Sequence, residues 1–355
     1  MMRRIGDRLY SEEELADKKI LARLGFNQRE IDYLSRHPWW DLGRLYFDKY
    51  TDAFADEYQP FGVGLDHLDD ISLTSLLQKE HASTAAIQFA GSNSSALQAV
   101  WHAGILRRRG VPLWPTHVYR LIGGNSLLPE TLAARLGDRV KLESPITDIK
   151  HGESGVTVSY RQGQVKAQIS ADHVVCCMSA VMLRKIPVTP TLTESKQWAV
   201  DSVPYYSATR PVFETRTKFW REQKASINIE FGAPHLQHVW SMADEVKTER
   251  GLVVGTAQPG VRADQALTAF RQFYSPGRDT IEGAMIIDWS RDPWCMACET
   301  TGYRPGELKK FWPALIRPEG RIHFAGAYCD NLNWGQEAGI RSAHRVAKTI
   351  DGDTA

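Results

Sequence analysis

Gly320–Gly326 reads GRIHFAG, and Trp334–Ile340 reads WGQEAGI. The first stretch predicts a short buried strand from Ile322 to Ala325 that ends at a glycine, and the second predicts the start of a helix. This helix is expected to run to about Ile350, with Ile340, Ala343, Val346, Ala347 and Ile350 on its buried face. A strand that leads through a glycine to a helix N-terminus brings unpaired N–H groups and a positive dipole end together. Such a point suits an anionic or electron-rich ligand, and a strand–helix packing unit without a ligand is the alternative.

Composition and charge exclude several classes of protein. The 355 residues carry a formal net charge of +1, which gives no electrostatic footprint for nucleic acid. No apolar stretch approaches the roughly 20 residues that span a bilayer, and no apolar segment of a signal peptide follows the first four residues. Five cysteines give no disulfide framework, so reduced thiols and, by default, a cytoplasmic location are expected. Cys295 and Cys298 form a C-x-x-C without the second pair that zinc needs, so no metal is expected.

The hydrophobic pattern along the chain predicts an α/β fold of mixed, α+β, character. Helical periodicity dominates residues 1–117, and residues 118–187 alternate strands with one helix. Residues 188–288 are rich in strands, and residues 289–355 return to a strand followed by a helix. No repeat and no low-complexity linker separates these segments, so we expect their layers to interleave. The strands expected in the second segment are Val118–Ile122, Val140–Leu142, Ile146–Ile149, Gly155–Tyr160 with its hairpin partner Gln164–Ile169, and Ala171–Cys177.

Four short signatures lie in a fixed order between about residues 70 and 350. They are Gly123-Gly124-Asn125 with Leu136–Leu142, Ile146–Ile149 before Gly155–Val158, Trp289–Trp294, and Phe324–Gly326 with Glu337–Ala343. Each signature is weak alone, but their order and spacing are specific. In this the chain resembles the flavin-dependent amine oxidases, which include monoamine oxidases and L-amino acid oxidases, and above all the bacterial flavin monoamine oxidases.

The resemblance implies an FAD-binding Rossmann-like domain that is interleaved with a helical and mixed-sheet substrate domain. It assigns residues 118–187 and 289–355 to the FAD-binding domain, and residues 1–117 and 188–288 to the substrate domain. The G-x-G-x-x-G unit that cradles the FAD pyrophosphate in the family is missing from this sequence, so the FAD-binding domain is incomplete. We expect an N-terminally truncated piece of a longer enzyme. The alternative is a natural truncation that has lost tight FAD binding.

The resemblance also assigns residues to the cofactor, FAD. The backbone of Ile146 would lie beside the adenine, and Gly326 and Ala327 would follow the ribityl and phosphate groups. The helix N-terminus at Gln336, Glu337 and Ala338 would face the pyrimidine edge of the flavin, where the dipole would stabilise negative charge on the reduced ring. A plain sheet residue at 146 and a tight strand-to-helix turn at 326 are the alternatives without a ligand.

Cys298 lies in the segment through which monoamine oxidases attach their flavin covalently. Many relatives lack this bond, so a thiol beside a non-covalent flavin is expected.

The substrate side departs from the monoamine oxidases, which use two tyrosines to orient the amine. The first of these positions is Glu299, and the second falls at Trp334 or Gly335. The lysine that holds a water near flavin N5 in the family is replaced by Arg210, which keeps the charge but not the compact geometry. Arg210 is therefore the catalytic candidate, and a structural arginine paired with an acid is the alternative.

The activity implied by the resemblance is FAD-dependent oxidation of a primary or secondary amine, or of an L-amino acid, to the imine. O2 would be reduced to H2O2, and the partners would be a small-molecule amine and O2. Two other hypotheses remain open at this point. One is a catalytically inactive remnant that binds a partner or a small molecule, and the other is a flavin desaturase or dehydrogenase acting on C–C bonds. The oligomeric state is open, with a homo-oligomer as one alternative.

Overall fold

The computed structural model describes residues 1–112, 119, 121–206, 209–222, 226–274, 277–297, 299–332 and 335–353. These residues form the mixed α/β fold that the sequence predicts. The strands are β1 (Met2–Ile5), β2 (Arg8–Tyr10), β3 (Ile146–Gly152), β4 (Gly155–Gln162), β5 (Val165–Ala171), β6 (Val174–Cys176), β7 (Val188–Thr189), β8 (Tyr205–Tyr206), β9 (Thr209–Thr215), β10 (Ile229–Ala233), β11 (Leu236–Met242), β12 (Gly251–Thr256), β13 (Ile281–Asp288), β14 (Glu299–Thr300) and β15 (Ile322–Phe324).

Helices of varied length separate these strands. They are α1 (Lys18–Arg23), α2 (Gln28–Leu34), α3 (Arg44–Phe47), α4 (Leu73–Lys79), α5 (Thr84–Ala90), α6 (Ala96–Arg108), α7 (Leu127–Leu136), α8 (Ala180–Leu183), α9 (Glu194–Ser202), α10 (Phe219–Glu222), α11 (Ala263–Phe273), α12 (Leu308–Phe311) and α13 (Gly335–Asp353). Among the described residues, none of the helices has both the length and the apolar character that a membrane span requires.

The chain divides into two compact units, and each is assembled from three stretches of sequence. Unit 1 comprises Met1–Tyr46, Leu73–Asn93 and Pro204–Thr301, whereas unit 2 comprises Phe47–Ser72, Ser94–Val203 and Gly302–Ala355. The domain boundaries that the sequence suggests, after residues 117, 187 and 288, stay a prediction.

Unit 1 is built on a seven-stranded sheet in the order β13-β9-β12-β11-β10-β1-β2. Neighbouring strands are antiparallel except for β1 and β10, which are parallel. Helix α11 packs on one face of this sheet, where Phe270 and Ala266 meet Phe213, Val239 and Val253. Strand β9 shows the expected alternation, because every second residue from Thr209 to Thr215 is buried.

The first ten residues contradict the helical character predicted for residues 1–117. They form the hairpin β1–β2, which turns at Gly6 with φ of +59° and joins the edge of the unit 1 sheet. The Arg3 guanidinium is held between two aromatic rings, 4.6 Å from the Trp39 centroid and 4.0 Å from the Phe89 centroid. These partners are distant in sequence, so local periodicity could not indicate the strands.

Unit 2 contains a four-stranded sheet in the order β5-β4-β3-β7 and a parallel pair of strands, β6 and β15. The predicted β3–β4–β5 hairpins are present, as is the strand at residues 322–324. Val140–Leu142, predicted as a strand, is irregular, and the Leu142 side chain is exposed. The strand predicted at Val118–Ile122 falls partly outside the described residues, and Tyr119, Leu121 and Ile122 are not in a strand.

Helix α13 begins at Gly335, as the sequence predicts, and ends at Asp353, slightly beyond the predicted end. Val346 is buried as predicted, but most of the buried face differs from the prediction. Its buried residues are Ala338, Arg341, Ser342 and Val346. Of the residues predicted to be buried, Ile340 is half exposed and Ala343 and Ala347 are exposed. The helix is turned in this way because Arg341 and Ser342 have polar partners inside unit 2.

A network of buried charges holds α13 in unit 2. Arg341 donates from Nε to Asp330 Oδ2 at 2.9 Å and from Nη1 to Glu57 Oε2 at 2.7 Å. Asp330 is fully buried and also accepts a hydrogen bond from the Tyr58 hydroxyl at 2.7 Å. Arg109 binds the outer side of Glu57 through two nitrogens, at 3.0 and 2.9 Å. Burial raises the pKa of Tyr58 well above its usual range, and the Asp330 carboxylate raises it further.

A second buried cation lies below the β15 strand. Lys196 of α9 is 1% exposed and donates to the carbonyl oxygens of Leu315, at 3.0 Å, and Arg317, at 2.7 Å. Its Nζ stands 3.8 Å from the centroid of the Phe324 ring. Burial lowers the pKa of Lys196 to about 8, although the nearby Cys329 and Glu319 act in the opposite direction.

The network predicts that Arg341→Met strongly destabilises unit 2. The substitution leaves the Asp330 carboxylate buried without its cation, which costs about 3–5 kcal/mol of unfolding free energy. Arg109→Met is the matched control, because Arg109 is partly exposed and its ion pair contributes about 0–1 kcal/mol. Urea unfolding of both variants measures the difference, and equal losses of stability would contradict the assigned network.

Lys196 predicts a pH dependence of stability. Between the folded pKa, about 8, and the ordinary value of 10.5, the unfolded lysine binds a proton that the folded one has released. Stability therefore rises with pH across this window, by up to about 1.4 kcal/mol per pH unit. In Lys196→Met this rise is absent. The unfolding free energy of the wild-type protein therefore increases relative to that of the variant as the pH increases.

The measurement is urea unfolding in steps from about pH 7 to about pH 9.5, with Lys166→Met, an exposed position of β5, as control. Burial raises the pKa of Cys176 to about 12 and of Cys329 to about 11, but both proteins share these thiols, so their effect cancels in the difference. A constant difference between wild type and Lys196→Met would show that Lys196 keeps its ordinary pKa.

Candidate functional site

The turn after β15 is shaped by glycine. Gly326 has φ of +132° and ψ of 170°, a backbone conformation that residues with a Cβ rarely adopt. A Cβ at this position would lie 3.2 Å from the Tyr328 ring and would fill the turn. The strand before it is tied to β6, since Ala325 N–H donates to the Cys176 carbonyl at 3.1 Å.

Two consecutive residues of α13 hold the two ends of this turn. The N–H of Gly326 donates to Ser342 Oγ at 2.8 Å, and Arg341 binds Asp330 at the far end. Between these points, Ala327–Cys329 forms a single 3-10 turn. The segment 326–330 is therefore fixed against the first half of α13.

The start of α13 presents open backbone groups. Gly335, Gln336 and Glu337 are exposed, and the first N–H groups of a helix have no acceptor within the helix. Ala338, next in the chain, is fully buried and anchors this turn. The Gln336 side chain donates to the carbonyl of Asn125 at 3.0 Å, which brings the Gly123-Gly124-Asn125 signature to the start of α13.

Unit 2 thus brings together most of the residues predicted to bind the cofactor. They are Gly326, Ala327, Gln336, Glu337 and Ala338, and Gly335, predicted on the substrate side, lies with them. Ile146 is in the same unit but on another sheet, at the first residue of β3, where it pairs with Tyr160. Arg321 connects the two sheets, because its Nε donates to the Glu153 carbonyl at 2.7 Å.

Unit 1 holds the other described candidates, Arg210 and Glu299. Glu299 begins β14 and pairs with Tyr206 of β8, whose hydroxyl donates to Gln237 at 2.9 Å. Arg210 lies on β9, paired with Ile287 of β13 and on the opposite side of β9 from the buried Phe213. Cys298 and Trp334 lie outside the described residues. The roles of all these residues stay predictions.

An aromatic side chain near Arg210, and a histidine beside it, carry no motif by which the sequence would indicate them. The Trp240 ring centroid lies 5.9 Å from the Arg210 guanidinium carbon and 6.2 Å from the His238 ring. His238 and Trp240 stand two residues apart on β11, a period-two spacing that would have placed them on one face of a strand. Burial lowers the pKa of His238, so this ring is neutral at neutral pH.

The residues present fit a flavin at the start of α13. The turn at Gly326 would be filled by any Cβ, and the exposed first turn of α13 offers N–H groups and the positive end of a helix dipole. Glu337, exposed at this end, is 3.6 Å from Arg109, so its charge is partly balanced. Among the described residues, no group of three or more His, Cys, Asp or Glu side chains could hold a metal ion.

Known proteins resemble this chain in sequence and in structure. A family model described as flavin-containing amine oxidoreductase matches residues 35–351. The chain is 25% identical over 249 residues to an L-amino-acid oxidase of Demansia vestigiata, a match that covers 65% of this chain and 48% of the relative. It is 23% identical over 251 residues to the flavin-dependent L-tryptophan oxidase RebO of Lentzea aerocolonigenes, covering 65% and 52%. The chain spans about half the length of the curated relatives it matches.

Solved structures show the same fold. Putrescine oxidase bound to putrescine superposes with a TM-score of 0.74 at 19% identity, over 99% of this chain and 90% of that chain. Cyclohexylamine oxidase from Brevibacterium oxydans IH-35A gives a TM-score of 0.63 at 20% identity, over 85% and 73%. At these identities the likeness shows the fold alone, and it confirms the predicted fold class. Because the family model covers most of the sequence, the chain belongs to the family of flavin-containing amine oxidoreductases.

Proposed function

We propose that this chain forms the main part of an FAD-dependent oxidase that converts an amine or an L-amino acid to the imine and reduces O2 to H2O2. The family match over residues 35–351 supports the reaction class. The observation that carries the proposal is the turn at Gly326, which Ser342 and Arg341 hold against the first half of α13. The first residues of the same helix, Gly335 to Glu337, are exposed.

The residues of unit 2 would hold the cofactor, and FAD supplies the hydride-accepting chemistry when bound. Gly326 and Ala327 would give the backbone close access to the ribityl and phosphate groups, because no side chain stands at 326. The N–H groups of Gln336 and Glu337 would donate toward the flavin, and the dipole of α13 would stabilise negative charge there. Arg341 and Ser342 hold α13 against the segment 326–330, so they would act as positioning residues.

The residues of unit 1 would act on the substrate. Arg210 keeps a permanent positive charge at the position where the family has a lysine, and Trp240 gives it an aromatic neighbour. Glu299 pairs with Tyr206 through the backbone of β14 and β8. We expect these residues, with Trp334, to set the substrate rather than to exchange protons, since hydride transfer to a flavin needs no catalytic triad.

The proposed reaction is tested by adding FAD to the purified protein and recording its visible spectrum. A bound flavin should be bleached anaerobically by a substrate amine or amino acid, and O2 should restore the colour with release of peroxide. A screen of amines and L-amino acids, read by peroxide release, identifies the substrate. Bleaching by a substrate without an amino group, or FAD that binds and is never reduced, would contradict an amine oxidase.

The turn at residue 326 predicts that Gly326→Val weakens FAD binding by at least about tenfold. The branched side chain meets the Tyr328 ring and forces the backbone out of its present conformation. Gly163→Ala is the matched control, because Gly163 also has positive φ but lies in the open turn between β4 and β5. FAD titration, with circular dichroism to confirm folding, distinguishes the two. Equal FAD affinity in both variants would remove Gly326 from the cofactor site.

A further inference from the structure

The start of α13 carries a negative charge that the proposed function leaves unexplained. Glu337 lies in the first turn of this helix, and 62% of its side chain is exposed. A carboxylate in a first turn stabilises the helix, but it also cancels the positive potential that the helix dipole offers to a ligand. This helix end therefore stabilises an anionic ligand only when a cation balances Glu337.

Arg109, the residue that ends α6, supplies a cation at this place. Its Nη1 atom lies 3.6 Å from Oε1 of Glu337. Its Nε and Nη2 atoms donate to the two carboxylate oxygens of Glu57, at 3.0 and 2.9 Å. Because the guanidinium is a rigid plane, this two-point contact with Glu57 fixes its orientation and keeps Nη1 beside Glu337.

Four charges alternate in sign along this part of unit 2. Glu337 pairs with Arg109, Arg109 with Glu57, and Glu57 with Arg341 at 2.7 Å. Arg341 lies four residues after Glu337 on α13, a spacing at which opposite charges attract, so the four groups close into a square. Arg341 is already bound to Glu57 and to the buried Asp330, and Arg109 therefore takes the charge of Glu337.

We propose that Arg109 is a positioning residue for the flavin, which acts through Glu337. It holds the first turn of α13 against the end of α6, and it keeps the net charge of that turn near zero. The N–H groups and the dipole of α13 can then stabilise negative charge on the reduced flavin. This inference rests on the proposed function and adds a residue to its site, although Arg109 itself need not touch the cofactor.

The test measures the midpoint potential of the flavin by redox titration of the FAD-loaded protein against a reference dye. In Arg109→Met the Glu337 carboxylate loses its cation, so negative charge on the reduced flavin is stabilised less well. We expect the ratio of reduced to oxidised flavin at a fixed potential to fall about three- to tenfold, which is about 15–30 mV for a two-electron couple. Arg109→Lys keeps the charge without the planar fork and should recover part of the loss.

Two further variants separate the effect of charge from that of structure. Arg109→Met combined with Glu337→Gln removes one charge of each sign, so the potential should return to near the wild-type value. Arg107→Met is the matched control for net charge, because Arg107 also lies at the end of α6 but donates to Thr51 and pairs with Asp52. A shift in Arg109→Met that is no larger than in Arg107→Met, or that persists in the double variant, would overturn the proposal.

A second measurement needs no flavin. Hydrogen exchange of the amides in residues 338–345, read by mass spectrometry, reports how firmly the start of α13 is held. Exchange should be about two- to fivefold faster in Arg109→Met and in the double variant, because both lose a partly exposed ion pair, and unchanged in Arg107→Met.

The two measurements distinguish a failure of this inference from a failure of the proposed function. If no FAD binds, the proposed function fails, while faster exchange in Arg109→Met but not in Arg107→Met still supports Arg109 as the residue that positions the helix start. Equal exchange in the wild type and in Arg109→Met would overturn the inference. Faster exchange with an unchanged flavin potential would overturn its role toward the cofactor.

Discussion

The ion pair between Arg341 and the fully buried Asp330 is the interaction on which unit 2 depends. A carboxylate inside a protein is stable only with a cation and enough donors, and Asp330 has Arg341, the Tyr58 hydroxyl and the N–H of Leu332. These partners come from two of the three stretches that form unit 2. The pair therefore sets the rotation of α13 about its own axis, so that Arg341 and Ser342 are buried while Ile340, Ala343 and Ala347, which periodicity assigns to the buried face, are exposed.

The same rotation governs the candidate cofactor site. Ser342 follows Arg341 directly, so the helix that satisfies Asp330 also brings a hydroxyl to the N–H of Gly326. The turn of residues 326–330 is then fixed at both ends by one helix, and the open first turn of that helix lies in the same unit. A displacement of α13 would move the helix N-terminus and the glycine turn together. The position of α13 is therefore expected to affect both the stability of unit 2 and the binding of the cofactor.

The sequence was sufficient to predict the fold where interactions between nearby residues determine it. The β3–β4–β5 hairpins follow from alternation and glycine turns, both of which involve adjacent residues. The sequence was insufficient to predict the fold where a residue's structure depends on a partner that is distant in the sequence. The hairpin β1–β2 exists because it joins β10, and Arg341 is buried because Asp330 and Glu57 lie opposite it. No periodicity reports such partners.

The candidate site divides in the same way. The strand, glycine and helix of the cofactor side could be predicted from adjacent residues. The neighbours of Arg210 could not, since Trp240 comes from two strands away in the sheet and shares no motif with it. The alternation of His238 and Trp240 was visible, but only the register of β9, β12 and β11 shows which side chains share a face.

The division of the chain into units has a consequence for how it is made. The polypeptide passes from one unit to the other after Tyr46, Ser72, Asn93, Val203 and Thr301. During translation, unit 1 cannot be completed until its third stretch, Pro204–Thr301, has been synthesised. At that point unit 2 still lacks its last stretch, Gly302–Ala355. Each unit is closed by contacts between stretches that are far apart in the sequence, an arrangement that slows folding and leaves apolar surface uncovered during synthesis. Neither unit corresponds to a contiguous fragment of the gene.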